Sequence, residues 1–227
     1  MTLNTFEIIK KEKLTNDIYE ITLTANEKFN FEAGQFVTFI LPGIWWRAYS
    51  ILKTHWNNIT LIIKSRSTKN GGRWWSKYIC NREIWDTLKW TNPAWKFLLQ
   101  NNNKNKLFIW TGTWFVPLYN QILSALEQKQ ECNLELLFWA RKTEDLFYMT
   151  QLEKLKQDNS NFDYKVYLSR EKNTQHNIGY VTDYLTKDNL NKFHEFYICW
   201  IPALIDSSRK ILEKNNISNE NIMSEKY

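Results

Sequence analysis

Apolar and polar positions alternate in short runs through the first hundred residues: Phe6 to Lys10, Ile18 to Thr24, Gln35 to Leu41, Ala48 to Leu52 and Ile59 to Lys64. Turn-forming residues separate them. Runs of this length and spacing predict strands of an antiparallel barrel or sandwich. Gln100 to Lys106 contains no apolar residue and reads as an interdomain linker. Beyond it the rhythm changes. Apolar strands at Leu107 to Ile109, Leu134 to Phe138, Tyr164 to Leu168 and Phe196 to Cys199 alternate with helical stretches near 116–129, 145–157, 180–187 and 203–214. That alternation predicts a doubly wound parallel α/β domain, whose ligand lies beyond the carboxyl ends of its strands. The expected fold is an antiparallel β-barrel over 1–100 followed by an α/β domain over 106–227.

Composition narrows the function classes. The chain has 227 residues and a net charge of +6, spread too evenly to mark a nucleic-acid partner. Three scattered cysteines, Cys80, Cys132 and Cys199, are too few for a disulfide framework, a four-cysteine zinc site or an iron–sulfur cluster. No metal is expected. Met1 to Lys13 lacks an apolar signal core, and no apolar run reaches the roughly 18 residues of a membrane span. A cytoplasmic monomer that contacts neither membrane nor nucleic acid is expected.

Glycine numbers 6 of the 227 residues and tryptophan 12. A domain of ordinary composition has about 7% glycine, close to the two counts taken together. The tryptophans cluster in turn-like contexts such as His55-Trp56-Asn57-Asn58, Gly71-Gly72-Arg73-Trp74-Trp75-Ser76 and Thr111-Gly112-Thr113-Trp114. Such turns call for positive φ or close backbone approach, which glycine permits and indole does not. We therefore read the tryptophans as recoded positions: UGA is glycine in the source lineage and was translated as Trp. The competing reading is an aromatic surface that stacks bases or sugars.

Two motifs carry chemistry. Arg47-Ala48-Tyr49-Ser50 opens a strand after a turn, and its side chains suit a phosphate, a flat conjugated ring and a ring nitrogen. Gly71 to Ser76 then leads into a helix, whose free N–H groups suit a pyrophosphate. In this order and spacing the motifs resemble those of the ferredoxin–NADP reductase superfamily, over about residue 5 to Tyr227. With Trp read as Gly, the resemblance extends to Ile84-Trp85-Asp86 through Pro93-Ala94-Trp95, Thr111 to Pro117, Trp139-Ala140-Arg141 with Asp145, and Tyr197-Ile198-Cys199-Trp200-Ile201-Pro202.

The resemblance implies an FAD-binding barrel, an NAD(P)-binding α/β domain and a set of site residues. Arg47 would hold the FAD pyrophosphate, Tyr49 would stack on the isoalloxazine, and Ser50 would hydrogen-bond near N5. Ala48, Ile63 and Lys64 would line the flavin, and Trp74, Trp75 and Ser76 would form a second phosphate turn. Thr113 would meet the nicotinamide cofactor's pyrophosphate, with Arg141 and Asp206 also binding that cofactor. Ser169 and Arg170 suit a 2′-phosphate and favour NADP over NAD. Ser50, Cys199, Glu225 and the terminal Tyr227 form the implied catalytic set, with Tyr227 covering the flavin until nicotinamide displaces it. The implied activity is hydride exchange between NADP(H) and FAD, with single electrons passing to a ferredoxin or flavodoxin. An NADH-dependent reductase component of a larger oxidoreductase and a non-enzymatic nucleic-acid-binding module are the alternatives.

Overall fold

A computed structural model describes residues 4–26, 31–41, 43, 45–66, 74–91, 93–94, 97–200 and 202–226, with Trp45, Trp200 and Lys226 described by backbone alone. The chain divides into two compact units: Met1–Leu98 with Tyr119–Gln121, and Leu99–Leu118 with Ile122–Tyr227.

The first unit is built on seven strands: β1 (Asn4–Lys13), β2 (Ile18–Ala25), β3 (Phe36–Leu41), β4 (Trp45–Ser50), β5 (Lys53–His55), β6 (Asn58–Lys64) and β7 (Thr87–Trp90). They form one antiparallel sheet in the order β4-β3-β7-β1-β2-β6-β5. Alternation along β3 turns Val37, Phe39 and Leu41 inward, and the same period buries Phe6 and Ile8 on β1. A short helix, α1 (Trp74–Cys80), follows β6 and adds Trp75, Ile79 and Cys80 to this core. Gly34 passes so close to the Phe97 carbonyl that a Cβ would overlap it.

The second unit is a six-stranded parallel sheet with helices interposed. Its strands are β8 (Lys106–Thr111), β9 (Leu134–Ala140), β10 (Phe162–Leu168), β11 (Asn177–Ile178), β12 (Glu195–Trp200) and β13 (Ile222–Lys226), in the order β11-β10-β9-β8-β12-β13. The helices are α2 (Phe115–Glu127), α3 (Met149–Asp158), α4 (Lys187–Leu190) and α5 (Pro202–Lys214). Every residue of the central strand β8 is buried, as a parallel strand covered on both faces requires. The sheet grows outward from β8 toward β9 on one side and β12 on the other. This reversal of strand order leaves a crevice at the carboxyl ends of the strands. The expected antiparallel β unit followed by a doubly wound parallel α/β unit is the architecture observed.

Two local expectations are corrected. Residues 100–105 do not form a free linker: Asn102 donates to Glu195 (2.7 Å), the Asn103 side-chain oxygen accepts the Glu131 N–H (3.1 Å), and Asn105 bonds Asn133 and Lys192 (both 2.9 Å). Side-chain amides give a polar segment the fastening that apolar residues give elsewhere. The single helix expected near 180–187 is a 3-10 turn, Val181–Tyr184, and then α4, because Thr186 is extended between them. Trp90 and Trp110, which lie outside the turn-like contexts, are core residues; the Trp90 ring stacks on Phe6 at 3.9 Å.

Lys106 closes the amino-terminal end of the parallel sheet. It is fully buried, and its ammonium donates to the Asn102 carbonyl (2.8 Å), the Asn102 side chain (3.1 Å) and the Lys104 carbonyl (2.9 Å). Glu195 lies 3.8 Å away and also accepts from Tyr197 at 3.0 Å. Replacing Lys106 by Met leaves a buried carboxylate uncompensated and is expected to lower the unfolding free energy by about 3–5 kcal/mol. Urea denaturation measures this, with the exposed Lys10→Met as the control that changes little.

Candidate functional site

In the first unit the candidate residues gather on β4, β6 and α1. β4 is an edge strand, paired with β3 so that Phe39 faces Arg47 and Val37 faces Tyr49. The two-residue period puts Arg47 and Tyr49 on one face and Ala48 and Ser50 on the other. Arg47 donates to the Trp46 carbonyl (2.6 Å), remains partly exposed, and lies 4.8 Å from the Trp75 ring centroid. Tyr49 packs against the core and is tilted against Phe39 at 5.8 Å. Burial pushes its phenol well above the ordinary range, further raised by Cys80 and opposed by Arg47. Cys80, at the end of α1, approaches the Ile63 carbonyl of β6 at 4.0 Å. Thus Arg47, Tyr49, Ile63 and Trp75 are brought together around α1.

The remaining residues of this half are placed as follows. Lys64 is ion-paired with Asp17 at 3.2 Å. Ser76 accepts the Arg66 N–H at 3.1 Å. Residues 74–76 are the first turn of α1 and not a loop, while the glycine-rich segment preceding them, 67–73, lies outside the described residues. Trp74 packs on Trp75 at 4.1 Å.

In the second unit the candidates collect at the carboxyl ends of the strands. β8 ends at Thr111, whose hydroxyl donates to the Trp139 carbonyl of β9 at 2.7 Å. Gly112 and Thr113 follow in a tight 3-10 turn that runs into α2. Gly112 has φ +53°, and a Cβ there would meet nothing within 4 Å, so its backbone is open to a ligand. An anion is favoured at the positive end of the α2 dipole, beside this turn. Arg141 and Arg170 are exposed at the ends of β9 and β10, joined by the Arg170 N–H to the Arg141 carbonyl (2.9 Å). Ser169 likewise donates its N–H to the Ala140 carbonyl at 3.2 Å. Asp145 belongs to the 3-10 turn Thr143–Asp145 that precedes α3.

At the ends of β12 and β13, Cys199 pairs in register with Glu225. Both are buried, and burial, then Glu225, holds the Cys199 thiol well above its ordinary range. Asp206 is exposed on α5, one turn past its start, and Tyr227 lies outside the described residues. Sequence reasoning gave no role to Glu171. Its carboxylate accepts the Thr143 N–H (2.7 Å) and hydroxyl (3.0 Å), and those bonds hold it below the usual carboxylate range. Nor did it foresee Cys80 as the contact between Tyr49 and β6, which no local pattern announces.

Among the described residues no group of His, Cys, Asp and Glu could hold a metal ion, and no helix is long and apolar enough to cross a membrane.

A doubly wound parallel sheet with a glycine-bearing turn after its central strand has the architecture of a nucleotide-binding unit, and it shares one chain with an antiparallel unit. Residues 108–210 match the oxidoreductase NAD-binding domain family. The chain is 24% identical over 96% of its length to the 2-halobenzoate 1,2-dioxygenase electron transfer component of Burkholderia cepacia, covering 69% of that protein. It is 32% identical to ferredoxin–NADP reductase B of Sorangium cellulosum over 63% of this chain and 59% of the relative. Its match to a component of the Na(+)-translocating NADH-quinone reductase of a Marinomonas species, at 26% identity over 67% of this chain, spans 40% of that relative's length. The fold is that of a ferredoxin NADP+ reductase from Neisseria gonorrhoeae with bound FAD and NADP (TM-score 0.84, 21% identity, 100% of this chain and 99% of that one). An Amycolatopsis cytochrome P450 reductase shares it with a TM-score of 0.88, at 21% identity over 99% of this chain and 69% of that one. Residues 108–210 thus match an oxidoreductase NAD-binding domain, and the chain is similar to a ferredoxin–NADP reductase and to a dioxygenase electron transfer component.

All three cysteines are buried and free, and burial raises each thiol, Cys80 to about 12. A thiol whose pKa lies above the ambient pH is protonated and unreactive. At mildly alkaline pH the native protein should therefore show no rapid reaction with a chromogenic disulfide, and three thiols should appear on unfolding. A native thiol reacting at the rate of a free cysteine contradicts this burial.

Proposed function

We propose that the chain exchanges hydride with NADPH through a bound FAD and passes single electrons to or from a ferredoxin- or flavodoxin-type carrier. The FAD-binding region is assigned to 1–100 and the NAD(P)-binding region to 106–227. Bound FAD supplies the chemistry that converts a hydride into single electrons; the protein supplies binding, orientation and electrostatics. Arg47 holds a phosphate through charge-assisted donors. Tyr49 presents its ring face to the isoalloxazine, and its raised phenol pKa keeps it neutral. Ser50 offers a hydroxyl to a ring nitrogen. Ala48, Ile63, Lys64 and residues 74–76 line the same cofactor. Thr113 and the α2 amino terminus hold the second pyrophosphate, and Asp206 on α5 binds the same nucleotide. Cys199 and Glu225 occupy the nicotinamide position, where Cys199 acts as a neutral thiol and not as a nucleophile. Tyr227 is assigned the cover over the flavin face.

The observation that carries the nucleotide preference is the fate of the charges after β9 and β10. Arg141 and Arg170 stand exposed, while Glu171, the acidic residue that would suit a free ribose hydroxyl, is committed to Thr143. Two exposed cations and a committed carboxylate favour a 2′-phosphate. The NADH-dependent alternative draws on the match to a dioxygenase electron transfer component, which spans 96% of the chain. Oligomeric state and cellular location follow the sequence expectation, a cytoplasmic monomer.

The purified protein should be yellow and bleach faster with NADPH than with NADH. Arg170→Ala should raise the KM for NADPH by about tenfold to a hundredfold, the worth of a charge-assisted hydrogen bond, and leave that for NADH unchanged. Equal rates with both nucleotides favour the NADH-dependent component. A colourless protein retained on single-stranded nucleic acid overturns the oxidoreductase reading.

A further inference from the structure

We propose that Trp56 and Trp85 stand where the native polypeptide has glycine, the codon at both positions being UGA read as glycine. The inference rests on backbone geometry and is independent of the proposed activity.

β5 and β6 pair with His55 opposite Asn58, so Trp56 and Asn57 form a two-residue hairpin loop. Trp56 has φ +58°, and Asn57 is not among the residues of positive φ. Positive φ at the first central residue alone is the pattern of a type II′ turn, whose first central position belongs to glycine. With glycine there, the loop reads Gly-Asn, itself a hairpin signal.

Trp85 occupies a different turn class with the same demand. The Asp86 N–H donates to the Glu83 carbonyl at 3.1 Å, closing a four-residue turn with Trp85 in third place and φ +79°. A type II turn sets its third residue near +80°, again a glycine position. The turn is fixed from outside as well: the Trp85 N–H donates to the Ile8 carbonyl (2.8 Å), and the Ile8 N–H donates to the Asp86 carbonyl (3.0 Å).

The side chains supply no compensating reason for indole. Trp56 is 74% exposed and Trp85 70%. A large aromatic that buries little of itself contributes little to the core. Meanwhile all four described glycines, Gly34, Gly43, Gly112 and Gly179, sit at positive φ. The chain thus spends its described glycines on left-handed positions, and these two tryptophans occupy positions of the same kind.

The other described tryptophans have ordinary φ, so this geometry assigns two positions and leaves the rest to the codon. Two of the rest carry separate marks: Trp110 is fully buried with its indole N–H unpartnered among the described residues, and Trp75 covers the Arg47 guanidinium at 4.8 Å.

Reading the gene and weighing the protein test the proposal together. UGA is expected at codons 56 and 85, and peptides spanning both positions, from protein purified from the source organism, should carry the mass of glycine. UGG at either codon, or a tryptophan-mass peptide, overturns it. A third measurement uses the tryptophan-containing chain made recombinantly: Trp56→Gly and Trp85→Gly should each raise the thermal midpoint and together raise it further. A fall in either variant counts against the turn assignment. Absence of bound flavin would defeat the proposed function and leave these three readings intact.

Discussion

The second unit depends on the register of its parallel strands, and that register is held at one end by a buried cation. Lys106 begins the central strand, and its ammonium is surrounded by carbonyls of the preceding loop and by Glu195 on the neighbouring strand. An ammonium without water is tolerated only where its hydrogens are taken up by acceptors. Here they are, so the amino ends of β8 and β12 are fixed relative to one another. The consequence appears at the other end of the strands. Thr111, Arg141, Ser169 and Cys199 emerge at the same edge because each strand starts from the same fixed line.

The first unit solves a different problem with an edge strand. Edge strands expose unpaired backbone groups and invite aggregation unless something covers or charges them. β4 carries Arg47, and α1 packs close enough for Trp75 to lie against that guanidinium. A charged side chain on the edge strand is one of the devices that discourage edge-to-edge pairing, and a residue assigned to the cofactor supplies it here. The Trp75 ring covers a face of the Arg47 guanidinium, while a phosphate would be held by its in-plane N–H groups, so the identity of residue 75 sets how closely that side chain is packed.

Much of this was legible in the chain because period and burial agree. The alternation on β3 and the fully buried β8 announce one half-buried and one fully covered strand, and with them the two architectures. The strand-end residues could be placed because a doubly wound sheet binds ligands at carboxyl ends whatever its sequence. What failed to show was interaction between polar groups. An asparagine run reads as a linker, since hydropathy does not register that Asn102, Asn103 and Asn105 will each find a partner. Glu171 beside Arg170 looks like a charge pair, yet its bonds run to Thr143, 28 residues earlier in the chain. The short edge strands β5 and β11 lack the length for any periodic signal.

The tryptophans show both the reach and the limit of composition. Scarcity of glycine pointed to missing turn residues, but scarcity cannot say which positions carry the deficit. Backbone dihedrals can, and they separate the tryptophans into kinds. At 56 and 85 the chain must turn left-handed whatever side chain is present, because hairpin register in one case and the contacts to Ile8 in the other fix the path. At 90 and 110 the backbone is ordinary and the indole fills core space beside Phe6 and Phe138. A site that constrains φ gives evidence about residue identity that a site able to repack around its occupant does not. The exposed turns therefore speak more clearly than the buried positions about what the native chain contains.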